Sequence, residues 1–231
     1  MSVRRVKPWV FAACLVPLGM LVWRAFTGDL SANPIEFITH RTGDWTLRFL
    51  LIALAVTPVR RLFGWSWAAG FRRMFGLFAF FYALLHFSTY LVLDFFFAFD
   101  LILDDIVERR YVTAGFAGFV LLVPLAVTST NAMIRRLGGE RWRRLHRLAY
   151  VAAVAGVVHY LWLVKIDVRP PLAYAAVLAL LLGVRLWFRL RPRLAAAEPG
   201  RGAAGRPIAS PPANRSGFPA EVSRPSGSQK I

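Results

Sequence analysis

Residues 72–93 read RRMFGLFAFFYALLHFSTYLVL, two arginines followed by an apolar run with a single histidine at position 86. A run of about 20 apolar residues is long enough to cross the hydrocarbon core of a bilayer as an α-helix. An imidazole within such a run costs free energy unless it meets a partner, so His86 is a candidate functional residue. The stretch therefore predicts a membrane helix that contributes to a functional site.

Five more apolar runs of similar length occur along the chain, which is 57% hydrophobic and only 18% charged. The second run is the weakest because it contains Arg48 and Pro58, although snorkelling and neighbouring helices can accommodate both. We expect an all-α polytopic membrane protein, built as a six-helix transmembrane bundle. The predicted spans are residues 9–26, 45–62, 74–93, 111–128, 145–164 and 172–188.

Charged residues divide between the two ends of this predicted bundle. With six spans, the basic residues fall at one end: Arg4, Arg5, Lys7, Arg60, Arg61, Arg72, Arg73, Arg135, Arg136, Arg141, Arg143 and Arg144. Most acids fall at the other end: Asp29, Glu36, Asp44, Asp94, Asp100, Asp104, Asp105 and Glu108. Positive loops stay in the cytoplasm, so we expect a multi-pass inner-membrane protein with both termini inside. Topology thus accounts for the net charge of +17 without a nucleic-acid partner.

Three of the four histidines, His86, His146 and His159, fall in or at the edge of predicted spans. The cores of spans three and five offer no Asp or Glu to pair with them, which favours metal ligation over hydrogen bonding between helices. Neutral imidazole is the usual axial ligand of a low-spin haem, and two facing helices can each supply one ring. His40 is expected in the first outer loop, as an ordinary interfacial residue.

The depth of each histidine indicates which two can share one iron. His86 lies thirteen residues beyond Arg73, and His159 lies fifteen beyond Arg144, on two spans that run in the same direction. His146 lies thirteen residues before His159, which is about 20 Å deeper on a regular helix. We therefore predict that His86 and His159 ligate a haem b near the periplasmic face, with His146 as a further candidate.

Four stretches of the sequence form a recognisable pattern: TGDWTLRFLLIALAVTP (42–58), RRMFGLFAFFYALLHFSTYLVLDF (72–95), VTSTNAMIRRLGGERWRRLHRLAY (127–150) and VVHYLW (157–162). They resemble the MsrQ family, the haem-binding membrane subunits of periplasmic methionine-sulfoxide reductase systems, within the wider ferric-reductase-like transmembrane group. The resemblance implies that His86, His146 and His159 are haem-associated. It also implies electrons from membrane quinol, a separate periplasmic molybdopterin subunit that reduces methionine sulfoxide in proteins, and FMN as an additional cofactor to consider.

Two departures from the wider group bear on this reading. Its members usually carry two histidines on the third span, but the residue fourteen positions before His86 is Arg72, which argues against a second bis-histidine haem. Its reductases continue into a flavin and nicotinamide domain, whereas this chain continues into a Pro-, Gly- and Arg-rich tail. We expect a cytoplasmic N-terminus at 1–8, a ferric-reductase-like haem-binding domain at 9–190, and a disordered basic cytoplasmic tail at 191–231.

Two alternatives to this function share some of its evidence. A haem-dependent reductase with another acceptor, such as ferric iron, would need the same histidines. A proton-coupled transporter could use the histidines as a proton relay. If the chain serves methionine-sulfoxide reduction, we expect an electron-transfer subunit that does not reduce methionine sulfoxide alone. The single cysteine, Cys14, lies inside the first apolar run and is not an exposed nucleophile, and the sequence offers no soluble domain for molybdopterin.

Overall fold

The computed structural model describes residues 3–197, and every regular element in that range is helical, which confirms the all-α class. Most of the tail predicted at 191–231 lies outside the described residues, as do residues 1–2. The α-helices are α1 (Val3–Thr27), α2 (Pro34–Phe63), α3 (Arg72–Thr89), α4 (Phe99–Glu108), α5 (Arg110–Val127), α6 (Asn131–Leu137), α7 (Gly139–Leu145), α8 (Leu148–Leu163) and α9 (Arg169–Ala197). A 3₁₀ segment (Ser66–Phe71) leads into α3, and a π-helical turn (Tyr90–Asp94) follows it.

A helix occupies each of the six predicted spans, but only some of these helices have the length and composition of a membrane span. Four segments meet both conditions: Val3–Thr27, Ser66–Asp94, Arg110–Val127 and Arg169–Arg191. Helix α2 carries Asp44 and Arg48 within its length. Helix α8 has 16 residues, about 24 Å against the roughly 30 Å of a hydrocarbon core.

Helix α2 begins eleven residues before the predicted start of span two. Asn33 caps it by accepting a hydrogen bond from the main-chain N–H of Glu36, and Pro34 occupies the first turn, where no N–H donor is needed. The expectation that His40 lies in a loop is therefore wrong: His40 lies on the second turn of α2, with an exposed side chain. At the other end, Gly64 adopts a φ of 71°, a left-handed conformation that suits glycine.

Helix α9 supplies a partner for Arg48 and a donor for the carbonyl that Pro58 leaves without one. The Arg48 side chain donates to the hydroxyl of Tyr174 at 3.0 Å and lies over the ring of Trp45. Pro58 has no N–H, so the carbonyl of Leu54, four residues earlier, lacks its helical donor. The Arg185 guanidinium donates to that carbonyl and to the hydroxyl of Tyr150. Helix α9 thus satisfies polar groups that α2 could not satisfy alone.

Two antiparallel helix pairs, α2 with α3 and α5 with α8, form the centre of the bundle. The ring of Phe49 on α2 stacks on Tyr82 of α3 and lies tilted against Phe78 of the same helix. Gly118 allows α5 to approach α8 at Ala155. The pairs join through Phe119, whose ring stacks on Phe80 and Phe87 of α3. This packing brings the ends of α3 and α8 together.

Helix α1 lies at the edge of the bundle, with Cys14 as its only buried residue. Its polar contact with the bundle is made by Tyr82 of α3. The Tyr82 hydroxyl donates to the carbonyl of Cys14 at 2.9 Å and accepts from the N–H of Leu18 at 3.1 Å. A side chain thus takes the place of a main-chain hydrogen bond next to Pro17, where the proline interrupts the helical ladder.

Candidate functional site

His86 and His159 lie close together between the two central helix pairs. His86 belongs to the last turn of α3, and His159 to the last turns of α8. Their ring centroids are 6.1 Å apart and the ring planes are inclined by 75°. The two rings paired by the depth argument are therefore neighbours, while their role as ligands stays a prediction.

Each ring is fixed by a main-chain carbonyl from a neighbouring helix. Nδ1 of His86 lies 2.8 Å from the carbonyl oxygen of Thr39, and Nδ1 of His159 lies 2.6 Å from that of Tyr111. A carbonyl oxygen can only accept, so in both rings Nδ1 carries the hydrogen. This leaves each Nε2 with a free lone pair. A histidine that ligates a metal through one nitrogen commonly donates its other N–H to a carbonyl in this way.

Two glycines make room for the two rings. A Cβ at Gly115 would lie 2.7 Å from Nδ1 of His159, and a Cβ at Gly43 would lie 3.1 Å from Cε1 of His86. Gly115 lies within a predicted span, where glycine commonly permits close approach between helices, whereas the sequence gives no signal for Gly43. Because Gly43 precedes Asp44 within an otherwise polar turn, its sequence context resembles that of any loop glycine.

A cavity of about 950 Å³ opens around both histidines. Its deep wall is apolar and includes Leu47, Leu50, Phe119 and Leu122. Its outer rim is polar and includes the residues Glu36, His40, Arg41, Asp44, Asp94, Asp105 and Arg109. The volume falls in the range of small-molecule and cofactor sites, which combine mostly apolar walls with a few placed polar groups.

The residues present fit a haem. Two imidazoles on opposite sides of one iron have ring centroids about 6 Å apart, because each iron–nitrogen bond is about 2 Å long. Within residues 3–197, no group of three or more His, Cys, Asp or Glu side chains is arranged to hold a metal ion. A pair of histidines alone suits an iron that already has four macrocycle nitrogens. The apolar depth and polar rim match a flat macrocycle with carboxylate substituents.

Side-chain hydrogen bonds at the outer rim extend to Tyr111, whose main-chain carbonyl contacts His159. The buried carboxylate of Asp105 on α4 accepts from the Tyr90 hydroxyl at 2.9 Å and pairs with Arg109 Nε at 2.8 Å. Arg109 also donates to the hydroxyl of Tyr111, the residue whose carbonyl accepts from His159. Arg109 lines the cavity, whereas the nearby cations Arg110 and Lys165 do not.

His146 lies apart from this pair, at the other end of α8. The predicted regular helix from 145 to 164 is wrong there, because the chain turns at His146 and Arg147 between α7 and α8. The His146 ring stacks on Trp142 with centroids 3.8 Å apart, and its Nδ1 donates to the Trp142 carbonyl at 3.1 Å. Its Nε2 lies 3.4 Å from the hydroxyl of Ser129. Neither His146 nor Trp142 lines the cavity.

Comparisons with known proteins identify a family model and relatives that are similar to this chain. The family described as ferric reductase like transmembrane component matches residues 42–157, which include His86 and His146 and end two residues before His159. The chain is 54% identical over 190 residues to a protein of Rhodospirillum rubrum, covering 82% of this chain and 91% of the relative. It is 52% identical over 190 residues to one of Herminiimonas arsenicoxydans, covering 81% and 87%. Both relatives are named protein-methionine-sulfoxide reductase heme-binding subunit MsrQ.

Proposed function

This chain belongs to the MsrQ family of ferric-reductase-like transmembrane proteins, and on that premise we propose that it carries electrons on haem b from membrane quinol to a separate methionine-sulfoxide reductase. The names of its relatives state haem binding and membership of a methionine-sulfoxide reductase. The donor, the acceptor and the haem type are our proposals for this chain.

One observation carries the proposal: His86 and His159 share a cavity with ring centroids 6.1 Å apart, and both hold Nδ1 on a carbonyl. A proton relay would use both nitrogens of each ring. Here one nitrogen of each ring is already committed to a fixed acceptor, and the other would be available to hold a metal. The proton-coupled transporter is therefore the weaker alternative.

Residues around the cavity would have distinct roles in holding the haem. His86 and His159 would hold haem b through Nε2, while Thr39 and Tyr111 keep the hydrogen on Nδ1 and fix the ring orientation. When bound, the group supplies one-electron redox chemistry. Leu47, together with the rest of the apolar wall, would exclude water from the site. Arg41 and Arg109 are the two arginines at the rim, and either would offer a charge-assisted hydrogen bond to a propionate.

We propose six membrane spans, formed by α1, α2, α3, α5, α8 and α9, in the cell inner membrane with both termini in the cytoplasm. The supporting observation is the separation of charges: the histidine cavity lies at the acidic end, and the arginine-rich connections lie at the other end. The haem-binding domain would then be residues 9–190, with cytoplasmic segments at 1–8 and 191–231.

We propose that the acceptor is a periplasmic molybdopterin subunit that docks at the acidic end. Helix α4 covers the rim of the cavity there and exposes Asp104 and Glu108. A charged rim of this kind favours fast, transient association with a partner of opposite charge. FMN is a second cofactor suggested by the resemblance, and flavin fluorescence after acid release from the purified protein would test for it.

The deciding experiment reconstitutes the purified chain in liposomes with a reduced quinol and an oxidised-methionine protein outside. We expect no turnover until the molybdopterin subunit is added, because the chain itself offers electron transfer and no centre for removing the oxygen atom. The matched control is the His40→Ala variant, which changes a histidine at the cavity rim. It should keep turnover, whereas His86→Ala should abolish it.

Turnover before the molybdopterin subunit is added would contradict the proposed division of labour. Reduction of ferric citrate at the same rate, in the absence of the partner, would favour the ferric-iron reductase instead.

A further inference from the structure

A second concave site lies at the basic end of the bundle, far from the histidine cavity along α3. It is a groove of about 460 Å³ between α1 and the start of α3. Its walls consist of Arg4, Lys7, Pro8, Phe11, Gly70, Arg73, Met74 and Leu77. None of these residues belongs to the haem site.

The groove is bounded by two contacts between helices that run in the same direction. At the start of α1, Val3 packs so closely on Gly70 that a Cβ at position 70 would lie 2.9 Å from the Val3 side chain. Further along the two helices, the ring centroids of Phe11 and Phe78 are 5.1 Å apart. Between these contacts the helices separate, which leaves the concave space.

Charge is distributed along the groove from one end to the other. Arg4, Lys7 and Arg73 lie on the first turns of their helices, and the apolar residues Phe11 and Leu77 lie one to two turns further along. Residues 4, 7, 8 and 11 share one face of α1, so the cations and the apolar side chains form one continuous strip. A ligand that fits must have an anionic head and an apolar body.

The cations in the groove have no acidic partner among the described residues. No ion pair involves Arg4, Lys7 or Arg73, and the sequence contains no Asp or Glu at 1–28 or 45–93. The Arg73 side chain is oriented by a 2.5 Å hydrogen bond to Asn131. Three positive charges therefore converge without a counterion from the helices that carry them.

We propose that this groove binds an anionic phospholipid, with its phosphate between Arg4, Lys7 and Arg73 and an acyl chain along Phe11, Met74 and Leu77. Basic pockets between membrane helices are a recurrent form of headgroup site. The exposed apolar side chains distinguish this site from one for a soluble phosphate: Phe11 is 50% and Leu77 is 39% exposed. The lipid fills the space that the incomplete packing of α1 leaves.

The test is native mass spectrometry of the full-length chain in detergent, titrated with phosphatidylglycerol or with phosphatidylcholine. The wild type should retain phosphatidylglycerol preferentially. The triple variant Arg4→Gln, Lys7→Gln, Arg73→Gln should weaken that binding about tenfold or more. The matched control Arg5→Gln, Arg60→Gln, Arg136→Gln removes the same charge at exposed sites outside the groove and should bind like the wild type.

One further variant and one competition experiment identify the class of ligand. Leu77→Trp fills the apolar part and keeps every cation, so it should also lose the lipid, and helical circular dichroism checks that each variant is folded. Glycerol phosphate, which lacks acyl chains, should not displace the lipid. Equal losses in both triple variants, undiminished binding in Leu77→Trp, or displacement by glycerol phosphate would each overturn the proposal.

Discussion

Gly115 lies directly against the ring of His159: a methyl group at position 115 would come within 2.7 Å of Nδ1 and 2.9 Å of Cε1. The same Nδ1 donates to the carbonyl of Tyr111, one turn earlier on α5. Helix α5 therefore fixes the ring with a hydrogen bond from one residue and a close backbone surface at another. The position of His159 depends on α5 as much as on α8.

We expect Gly115→Ala to displace the His159 ring and to weaken haem retention by about tenfold, the scale of changes that disturb a ligand's supporting contacts. Haem content per protein and the low-spin absorbance of the reduced protein measure the effect. Gly76→Ala is the control, because a Cβ at position 76 meets nothing within 4 Å. Full haem content in Gly115→Ala would mean that the ring can move without losing its ligand role.

The absorbance spectra of alanine variants should distinguish the two histidines that ligate haem from His146. His86→Ala and His159→Ala should each lose low-spin b-type absorbance, since one imidazole cannot fill both axial positions. His146→Ala should keep it, because that ring stacks on Trp142 outside the cavity. Reduced-minus-oxidised spectra of purified variants decide the matter. A wild-type spectrum in both of the first two variants would refute the assignment.

The bond from Arg185 to Leu54 should depend on Pro58. Arg185→Met leaves the Leu54 carbonyl without a donor, so we expect a loss of about 1–3 kcal/mol in the free energy of unfolding. In a Pro58→Ala background the alanine N–H restores the helical donor, and the same change should cost less. Reversible unfolding in mixed detergent measures this cycle, with the exposed Arg189→Met as control. Identical losses in both backgrounds would show that the carbonyl is not what Arg185 stabilises.

The buried Asp105 carboxylate should hold α4 on the rim of the cavity. Asp105→Asn weakens the pairing with Arg109 and the hydrogen bond from Tyr90, so amides of 99–108 should exchange about tenfold faster with solvent deuterium. Asp104→Asn removes the neighbouring exposed carboxylate and should leave exchange unchanged. Hydrogen exchange followed by mass spectrometry makes the comparison. Equal protection in both variants would mean that apolar contacts alone retain the helix.

Features that depend only on position along a helix could be predicted from the sequence. The spacing of His86 and His159 from flanking arginines predicted a common depth, because the rise per residue of an α-helix is nearly constant. The paired rings are indeed neighbours. Each predicted span likewise contains a helix, and four of the helical segments have the length and composition that a bilayer requires.

Interactions between distant residues could not be predicted in this way. The early start of α2 depends on a cap at Asn33, and the turn at His146 depends on local hydrogen bonds that compete with the helix. The partners of Arg48 and of the Leu54 carbonyl on α9 lie more than one hundred residues away in sequence. Their pairing depends on the packing of the bundle, which no local pattern encodes.

The contact of Tyr82 with Cys14 and Leu18 has a consequence for biosynthesis. Helix α1 leaves the ribosome first, but the side chain that hydrogen-bonds to it lies 64 residues beyond Leu18. Until that residue has been translated and inserted, the main chain of α1 lacks this side-chain partner, and Arg24 at its end has only Asp29 and the ring of Phe37 nearby. The first helix to be made is thus able to complete its docking only after α3 has entered the bilayer.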